Sequence, residues 1–486
     1  DLGYVFHAGD GNLHPLILFD PSDPDMVKSV HEAGREVVEL CVQVGGTITG
    51  EHGVGSEKRE YMLLMYNPGE LQAMQDIKDV FDPGDIVNPG KVLPRFQYEP
   101  LQAKAQPPEA TFAPTSAEEA AEGIRSWAAE PKSRSLRIRG GGTKSSLLSP
   151  ADVTLSTQNL SGIQALEVND LYVTANAGMP LSGLQEELAR EKVWTPLVSP
   201  WPESTVGGIV ATNFNAPLRS RYGAIRDLIL AMTTVLPDGR VVRAGKPVVK
   251  NVAGYDLPKL FVGSHGTLGL ITDVTFKLLP FPRERATLVV PVDDLERGLA
   301  LGGKLLRVCL VASSLLLCKG CEIPGLPAPY AIVYTSEGVS EDVQAEQAQV
   351  REVLQAENAT EVSQIDAPSG NELWADWMSA KSLTNTTLRL GVAPKDLTQT
   401  LINLAPTLKD APFVADVPSG IVYLQSTEVE AVRQSAQAIG GYAIILNGPN
   451  GKHDVWGHAP EGLDLMRRLR SRWDTRGLFN PGAFIV

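Results

Sequence analysis

KNVAGYDLPKLFVGSHGTLGLIT, residues Lys250 to Thr272, is the stretch on which the fold of this chain turns. Gly263, Gly266 and Gly269 recur at every third position, a period that suits neither an amphipathic helix nor an alternating strand. Glycine is required where the backbone takes a positive φ or where another group must come close. Leu260-Phe261-Val262 before the cluster and Leu270-Ile271 after it are apolar, so the loop is expected to sit on a buried sheet. Bare backbone N–H groups on such a scaffold suit a large planar ligand with a pyrophosphate. Tight turns in an α/β sheet are the plainer reading of the same glycines, and the surrounding sequence weighs against it.

Upstream, Leu136–Arg139 reads as a strand that runs into Gly140-Gly141-Gly142-Thr143-Lys144-Ser145. A strand followed by a glycine turn with hydroxyls and a cation is a phosphate-cradling arrangement, although the GxxxxGK[ST] spacing is absent. Strands are expected at Val153–Thr157 and Ala165–Ala175, and a helix at Pro180–Glu191. Thr205-Val206-Gly207-Gly208 opens another apolar run, ending at Asn213, and Arg221-Tyr222-Gly223 follows. Pro237-Asp238-Gly239 marks a hairpin between Leu228–Leu236 and Val241–Ala244. One domain is therefore expected over 115–280. Residues 281–486 are less glycine-dense, with helices at Leu295–Leu306 and Glu341–Ala356 among short strands, and read as an α+β domain packed on it. Cys318-Lys-Gly-Cys321 lacks a second pair and is too weak for a redox motif, and Asn447–His458 reads as an ordinary loop.

The first 95 residues carry a different chemistry. His7 and His14 flank Gly9 and Gly11, a spacing that predicts a tight turn bringing both imidazoles to one point. A helix over Pro24–Val44 stops at Gly45-Gly46, and a glycine-bracketed loop then presents Glu51 beside His52. His7, His14 and Glu51 offer the N, N and O ligands preferred by zinc and other borderline divalent metals, which leaves His52 free as an acid/base. Singly, each is more simply a hydrogen-bonded histidine; together in two glycine-framed loops they point to a site. Residues 77–90, IKDVFDPGDIVNPG, and 469–482, LRSRWDTRGLFNPG, share Asp and then Asn-Pro-Gly at the same spacing after a helix, which suggests two homologous units. Pro-rich residues 96–114 read as the linker between them.

Totals narrow the function class. The chain has 486 residues, enough for about three domains, and a formal charge of −14 that argues against nucleic acid. No run reaches the roughly 18 apolar residues of a membrane span. Four cysteines form no disulfide framework, so a reducing, cytoplasmic setting is expected. The chain starts at Asp1 in strand-like sequence, which reads as a fragment or processed product.

RGGGT at 139–143, TVGGIVATN at 205–213, RYG at 221–223 and AGYDLPKLFVGSHGTLGLIT at 253–272 together resemble the FAD-linked oxidases of the vanillyl-alcohol-oxidase fold, the family of glycolate, D-lactate and D-2-hydroxyglutarate dehydrogenases. The resemblance implies an α+β protein: a PCMH-type FAD-binding domain of two α/β subdomains, an α+β cap at 281–486 whose end returns to the FAD domain, and a truncated homologous segment before them. It implies that Arg139, Gly140, Gly141, Gly142 and Thr143 form the pyrophosphate loop. Thr205, Val206, Gly207, Gly208, Tyr222, Gly223, Gly254, Tyr255, Asp256, Gly266, Thr267, Leu268, Gly269 and Ile271 would wrap the rest of the FAD. No His or Cys lies beside the loop, so the FAD is expected to be non-covalent, and Lys144 stands where the family often has Ser.

Residues 1–95 resemble the C-terminal end of the same family, which implies His7, His14 and Glu51 as ligands of a divalent metal such as zinc and His52 as catalytic base. The order is reversed: in the family the FAD domain comes first. The combination resembles two neighbouring flavoprotein subunits of bacterial glycolate oxidase, the tail of one and the whole of the next. That implies oxidation of a short 2-hydroxy acid, glycolate or D-lactate, to the 2-oxo acid. Electrons would pass to an iron–sulfur subunit, with a separate FAD-binding catalytic subunit as partner and membrane association through partners. Residues 110–486 lack an HxxGxGNLH of their own, so a non-catalytic FAD relay or scaffold is the alternative. A third reading folds residues 1–95 over the FAD of the same chain, since the linker spans up to roughly 60 Å when extended. A flavin reductase using NAD(P)H is disfavoured by the missing GxGxxG.

Overall fold

A computed structural model describes residues 2–144, 148, 150–323, 328–380, 386–409, 411–448 and 454–486. Ser145 of the glycine loop and residues 449–453 of the 447–458 loop lie outside the described residues.

The leading segment opens with β1 (Leu2–His7) and β2 (Asn12–Ile17), an antiparallel pair joined through residues 8–11. Helix α1 (Pro24–Gln43) starts where the Asp23 carboxylate accepts the amides of Asp25 and Met26, and it stops before Gly45 at φ 90°. Helix α2 (Pro68–Phe81) is opened by a capping box between Asn67 and Glu70, and buries Leu71, Met74, Ile77 and Val80 on the next domain.

In the middle domain, β3 (Thr111–Phe112), β4 (Leu136–Arg139) and β5 (Val153–Ser156) form a parallel sheet in the order β3-β5-β4, covered by α3 (Ala117–Ala128). The chain's end joins this sheet. Leu136 N–H donates to Leu478 O at 2.9 Å, Asn480 N–H to Leu136 O at 2.6 Å, and Phe479 is buried against Trp127. The expected single strand over 165–175 is instead a hairpin, β6 (Ile163–Glu167) and β7 (Tyr172–Asn176). Asn169-Asp170 turns the chain between them, with Leu171 at φ 53°. Next come α4 (Leu181–Arg190), β8 (Val193–Trp194), α5 (Val206–Thr212), β9 (Ile229–Val235), β10 (Val241–Gly245), β11 (Leu270–Lys277) and β12 (Leu279–Pro280). The second sheet runs β10-β9-β11-β7-β6 and is antiparallel throughout. Its central strand, β11, emerges from the Gly263–Gly269 loop, so that loop does sit on a buried sheet.

The cap is one antiparallel sheet ordered β16-β13-β15-β14-β18-β19-β17-β20. Its strands are β13 (Glu284–Val292), β14 (Ala312–Lys319), β15 (Tyr330–Gly338), β16 (Ser363–Ile365), β17 (Thr386–Gly391), β18 (Phe413–Asp416), β19 (Ile421–Ser426) and β20 (Tyr442–Asn447). Alternation along the strands divides its two faces. Leu317, Leu424 and Phe413 pack under α6 (Leu295–Leu305), α7 (Ser340–Ala356), α9 (Leu397–Leu404) and α10 (Val429–Gln437). Leu316, Val414 and Tyr423 face α8 (Gly370–Ser379) and Phe214 of the middle domain. Cys318 and Cys321 are free thiols. No helix among the described residues is long and apolar enough to cross a membrane.

The repeated motif has the same backbone twice. Asp82 Oδ2 accepts Val87 N–H at 2.8 Å and Asp474 Oδ2 accepts Phe479 N–H at 2.7 Å; Asn88 and Asn480 take φ 49° and 48°. The helices that precede the two turns, α2 and α11 (Leu463–Trp473), pack together around buried Asp76. Its carboxylate accepts from Trp473 Nε1 (3.1 Å), Arg472 Nε (2.9 Å) and Arg240 Nη2 (2.9 Å). Burying an aromatic side chain of this size contributes roughly 1.5–3 kcal/mol.

Candidate functional site

Two separate constellations stand out. In the first, the β1–β2 register pairs His7 with Asn12 and Val5 with His14, which puts both imidazoles on one face of the hairpin. Glu51 reaches between them from the loop after α1, with Oε1 3.6 Å from His7 Nε2 and Oε2 3.5 Å from His14 Nε2. One donor atom from each residue lies within 4.8 Å of the others. Ligands on a tetrahedral ion at about 2 Å sit roughly 3.3 Å apart, so the set is close to closing on a zinc-sized ion. The His52 ring lies 5.0 Å from that of His14. Lys250, from the stretch quoted at the outset, places its ammonium on Asp10 (2.7 Å) and on the Glu51 carboxylate. That hydrogen bond is the main reason the Glu51 pKa is lowered, assisted by the charge of Lys250 and of the two imidazoles.

The second constellation is a cleft between the middle domain, the cap and the chain's end. Arg139, Gly140, Gly141, Gly142, Thr143, Thr205, Gly207, Gly208, Gly266, Gly269 and Ile271 line it, as do Arg389, Ile444 and Trp456 from the cap and Asn480 from the last turn. Two glycines show why the loop tolerates no side chain: a Cβ on Gly141 would stand 1.7 Å from Glu203 O, and one on Gly207 2.7 Å from the Ala177 Cβ. Asn480 clamps the floor, its Oδ1 accepting from Ile138 N–H (3.1 Å) and its Nδ2 donating to His265 O (2.5 Å). Lys144 bonds Thr143 Oγ1 (3.0 Å) and Ser204 Oγ (3.1 Å) over the Trp201 and Phe214 rings, and burial pushes its pKa down to about 8. His265 stacks on Phe484; burial, with the nearby charges of Arg389 and Lys144, takes its pKa down to about 3. Among the described residues, Arg389 Nε is buried without a hydrogen-bond partner. An orphaned guanidinium donor, a lysine and a bare glycine floor in a partly aromatic cleft fit a large dianionic cofactor with a planar ring.

The remaining residues assigned by resemblance lie elsewhere. Val206 is in the core, and Tyr222 stands edge-on to Trp194 and donates to Glu337 Oε1 at 2.9 Å, with Gly223 next to it at φ 86°. Gly254 faces Met62 and Met74 of the leading segment, Tyr255 packs on the same core, and Asp256 pairs with Lys259 at 2.5 Å. Thr267 Oγ1 closes a turn on Ser264 O (2.7 Å), and Leu268 packs into the core behind the cleft. The AGYD loop is thus a dock for the leading segment, with Tyr66 OH donating to Ala253 O at 2.6 Å. Among the described residues, none of 2–95 lines the cleft. The sequence reading missed Trp201, Phe214, His265, Arg389 and Trp456; His265 sat visibly inside a glycine cluster, whereas no local signal marks Arg389.

Residues 1–92 match the family described as FAD linked oxidases, C-terminal domain, and residues 108–245 match the FAD binding domain. The chain is 50% identical to glycolate oxidase subunit GlcD of Escherichia coli K12 over 90 residues, 18% of each chain. The chain thus spans about a fifth of that relative's length. It is 29% identical to glycolate oxidase subunit GlcE of the same organism over 357 residues, 71% of this chain and 91% of the relative. Among solved structures, 4-ethylphenol oxidase from Gulosibacter chungangensis superposes with TM-score 0.59 at 13% identity, covering 77% of this chain and 88% of that one. The fold is the PCMH-type FAD-binding fold with a cap, and its cofactor is FAD. The match to the C-terminal domain of FAD linked oxidases stands first along this chain and the match to the FAD binding domain second.

Proposed function

We propose that the chain serves FAD-dependent oxidation of a short 2-hydroxy acid, glycolate or D-lactate, to the 2-oxo acid, as one subunit of a multi-subunit oxidase. The similarity to glycolate oxidase subunits and D-lactate dehydrogenases supports the substrate class. In this reading the domains are 1–95, 115–280 and 281–486 around the linker 96–114. Residues 115–486 hold FAD in the cleft: the Arg139–Thr143 loop takes the pyrophosphate, and Lys144 and Arg389 compensate its charge. Bound FAD supplies a two-electron acceptor. Among the described residues lining the cleft there is no carboxylate, and the His265 imidazole stays neutral and packed between rings. In this reading the unit is an electron relay. The leading segment carries the acid–base chemistry. His7, His14 and Glu51 would hold a divalent metal, which would supply Lewis-acid chemistry to the substrate, and His52 would take the hydroxyl proton. The flavin that His52 serves belongs to a partner, and an iron–sulfur subunit, at the inner face of the membrane, receives the electrons.

One observation carries this division: the metal cluster and the FAD cleft share no residue. The visible spectrum of the purified chain, followed by glycolate or D-lactate without oxygen, tests it. A flavin band that persists is expected. Bleaching by the isolated chain would mean that its own FAD meets the substrate, and the relay reading fails.

A further inference from the structure

Spacing alone gives Cys318-Lys319-Gly320-Cys321 no redox reading, because no second Cys-x-x-Cys accompanies it. The fold supplies what spacing does not. Cys318 lies in β14, an interior strand of the cap sheet, where its backbone pairs with Ala331 of β15 and Val414 of β18. Side chains alternate along a strand, so Leu316 and Cys318 face the cluster that holds Trp374 and Trp377, and Leu315 and Leu317 face the other core. Lys319 continues that alternation: it donates to Leu408 O at 2.7 Å and lies 5.7 Å over the Tyr330 ring. One more regular step would send Cys321 to the face opposite Cys318. Gly320 breaks the step. Its φ is 68°, and a Cβ there would stand 2.9 Å from Pro412 Cβ, so the bend needs glycine. Cys321 thereby packs on the same cluster as Cys318, and the two thiols are hydrogen-bonded to each other.

The other two thiols stand apart from this pair. Cys41 donates to Thr47 O at 3.3 Å and Cys309 to Leu305 O at 3.4 Å, and burial takes the Cys309 pKa up to about 11. Within the pair, exposure divides the roles. Cys318 is 1% exposed, whereas Cys321 is half-buried and open to solvent on one side. The hydrogen bond to Cys321, together with burial, holds the Cys318 thiol well above the ordinary thiol range. As a staple the pair would contribute little. A disulfide stabilises by closing a loop, the gain falls as the loop shortens, and this one spans four residues. A dithiol of that kind is suited to opening and closing, which is the use such pairs have where the surroundings are reducing.

We propose that Cys318 and Cys321 are a redox-active dithiol, a modification site in the cap that closes to an intramolecular disulfide by exchange with a low-molecular-weight disulfide. The Cys321 thiolate attacks one sulfur of that disulfide. An S–S bond to Cys321 forms, the reagent's own S–S bond breaks, and a thiolate leaves and takes up the proton that Cys321 had given to solvent. Cys318 Sγ, already beside Cys321 Sγ, then attacks it, breaks the mixed disulfide and passes its proton to the second departing thiolate. Both protein thiols are oxidised, and the external disulfide is reduced to a pair of thiols. The site is separate from the FAD cleft and from the His7–His14–Glu51 cluster, since neither cysteine belongs to either.

The test incubates the FAD-loaded full chain with oxidised glutathione, alkylates the remaining thiols and maps the cysteines by peptide mass spectrometry. A Cys318–Cys321 disulfide is expected, with alkylated thiols falling from four to two and returning to four after dithiothreitol. Cys318→Ser should stop at a stable mixed disulfide between Cys321 and glutathione. Cys321→Ser should slow the reaction of Cys318 at least about tenfold, because the buried thiol lacks both access and a thiolate. FAD content unchanged in both variants shows that they fold. A native chain that keeps all four thiols, modification at Cys41 or Cys309 instead, or a glutathione adduct that persists on Cys321 of the native chain overturns the proposal.

Discussion

Gly141 has no room for a methyl group. Its Cβ would meet the Glu203 carbonyl at 1.7 Å, and that contact is backbone, which cannot swing away. Gly141→Ala is therefore expected to yield protein without FAD, read as loss of the flavin absorbance at unchanged expression. Lys144 is a second test at this scale, with two opposite signs. Burial lowers its pKa from 10.5 to about 8. Between those values the unfolded chain keeps a proton that the folded, cofactor-free chain has released, so the stability of the cofactor-free chain should rise as pH climbs from about 8 to 10.5. FAD affinity should move the other way, weakening roughly tenfold over the same range, because a neutral amine no longer pairs with an anion and a charged hydrogen bond contributes about 1.5–3 kcal/mol. Lys144→Met should flatten both profiles, measured by urea melts and by flavin fluorescence.

Among elements, the α2–α11 contact binds the leading segment to the rest. Asp76 is 3% exposed and Arg240 6%, and the carboxylate accepts from Arg240, Arg472 and Trp473. Removing one partner of a buried ion pair strands the other in a low-dielectric site. Asp76→Ala is expected to cost about 3 kcal/mol in urea denaturation, softened by the second contact of Arg240 with Asp238 at 2.7 Å. The two helices and their turns were legible beforehand, because Asp and Asn-Pro-Gly impose local hydrogen bonds and backbone angles that any context preserves. Their pairing was not legible: the Asp76–Trp473 contact joins residues 397 apart in sequence. The hairpin at 163–176 shows the converse, a turn at Asn169-Asp170 hidden inside an apolar stretch that reads as continuous.

At the scale of the molecule, the His7–His14–Glu51 cluster and the cleft share no residue, so on the proposed metal site a chelator should strip a divalent ion from the cluster and leave FAD content unchanged. Metal analysis and absorbance on one sample check this, and Glu51→Gln should abolish metal retention. Lys250→Met should tighten metal binding, because its ammonium competes for the Glu51 carboxylate. Local spacing was enough to bring His7, His14 and Glu51 together: a hairpin places residues seven apart on one face, and glycines frame the loop that brings Glu51 in. It was also enough to mark the Arg139–Thr143 turn and the Gly263–Gly269 loop, where backbone must come close to something. Which side of each loop faces the cofactor was beyond such reasoning. The AGYD loop shares its glycine chemistry with the Arg139–Thr143 loop, yet Gly254 packs on Met74, and Arg389 and Trp456 enter the cleft from a domain more than 100 residues away in sequence. Glycine spacing encodes where a backbone bends and how closely it can be approached. What does the approaching is settled by which distant surfaces bury each other.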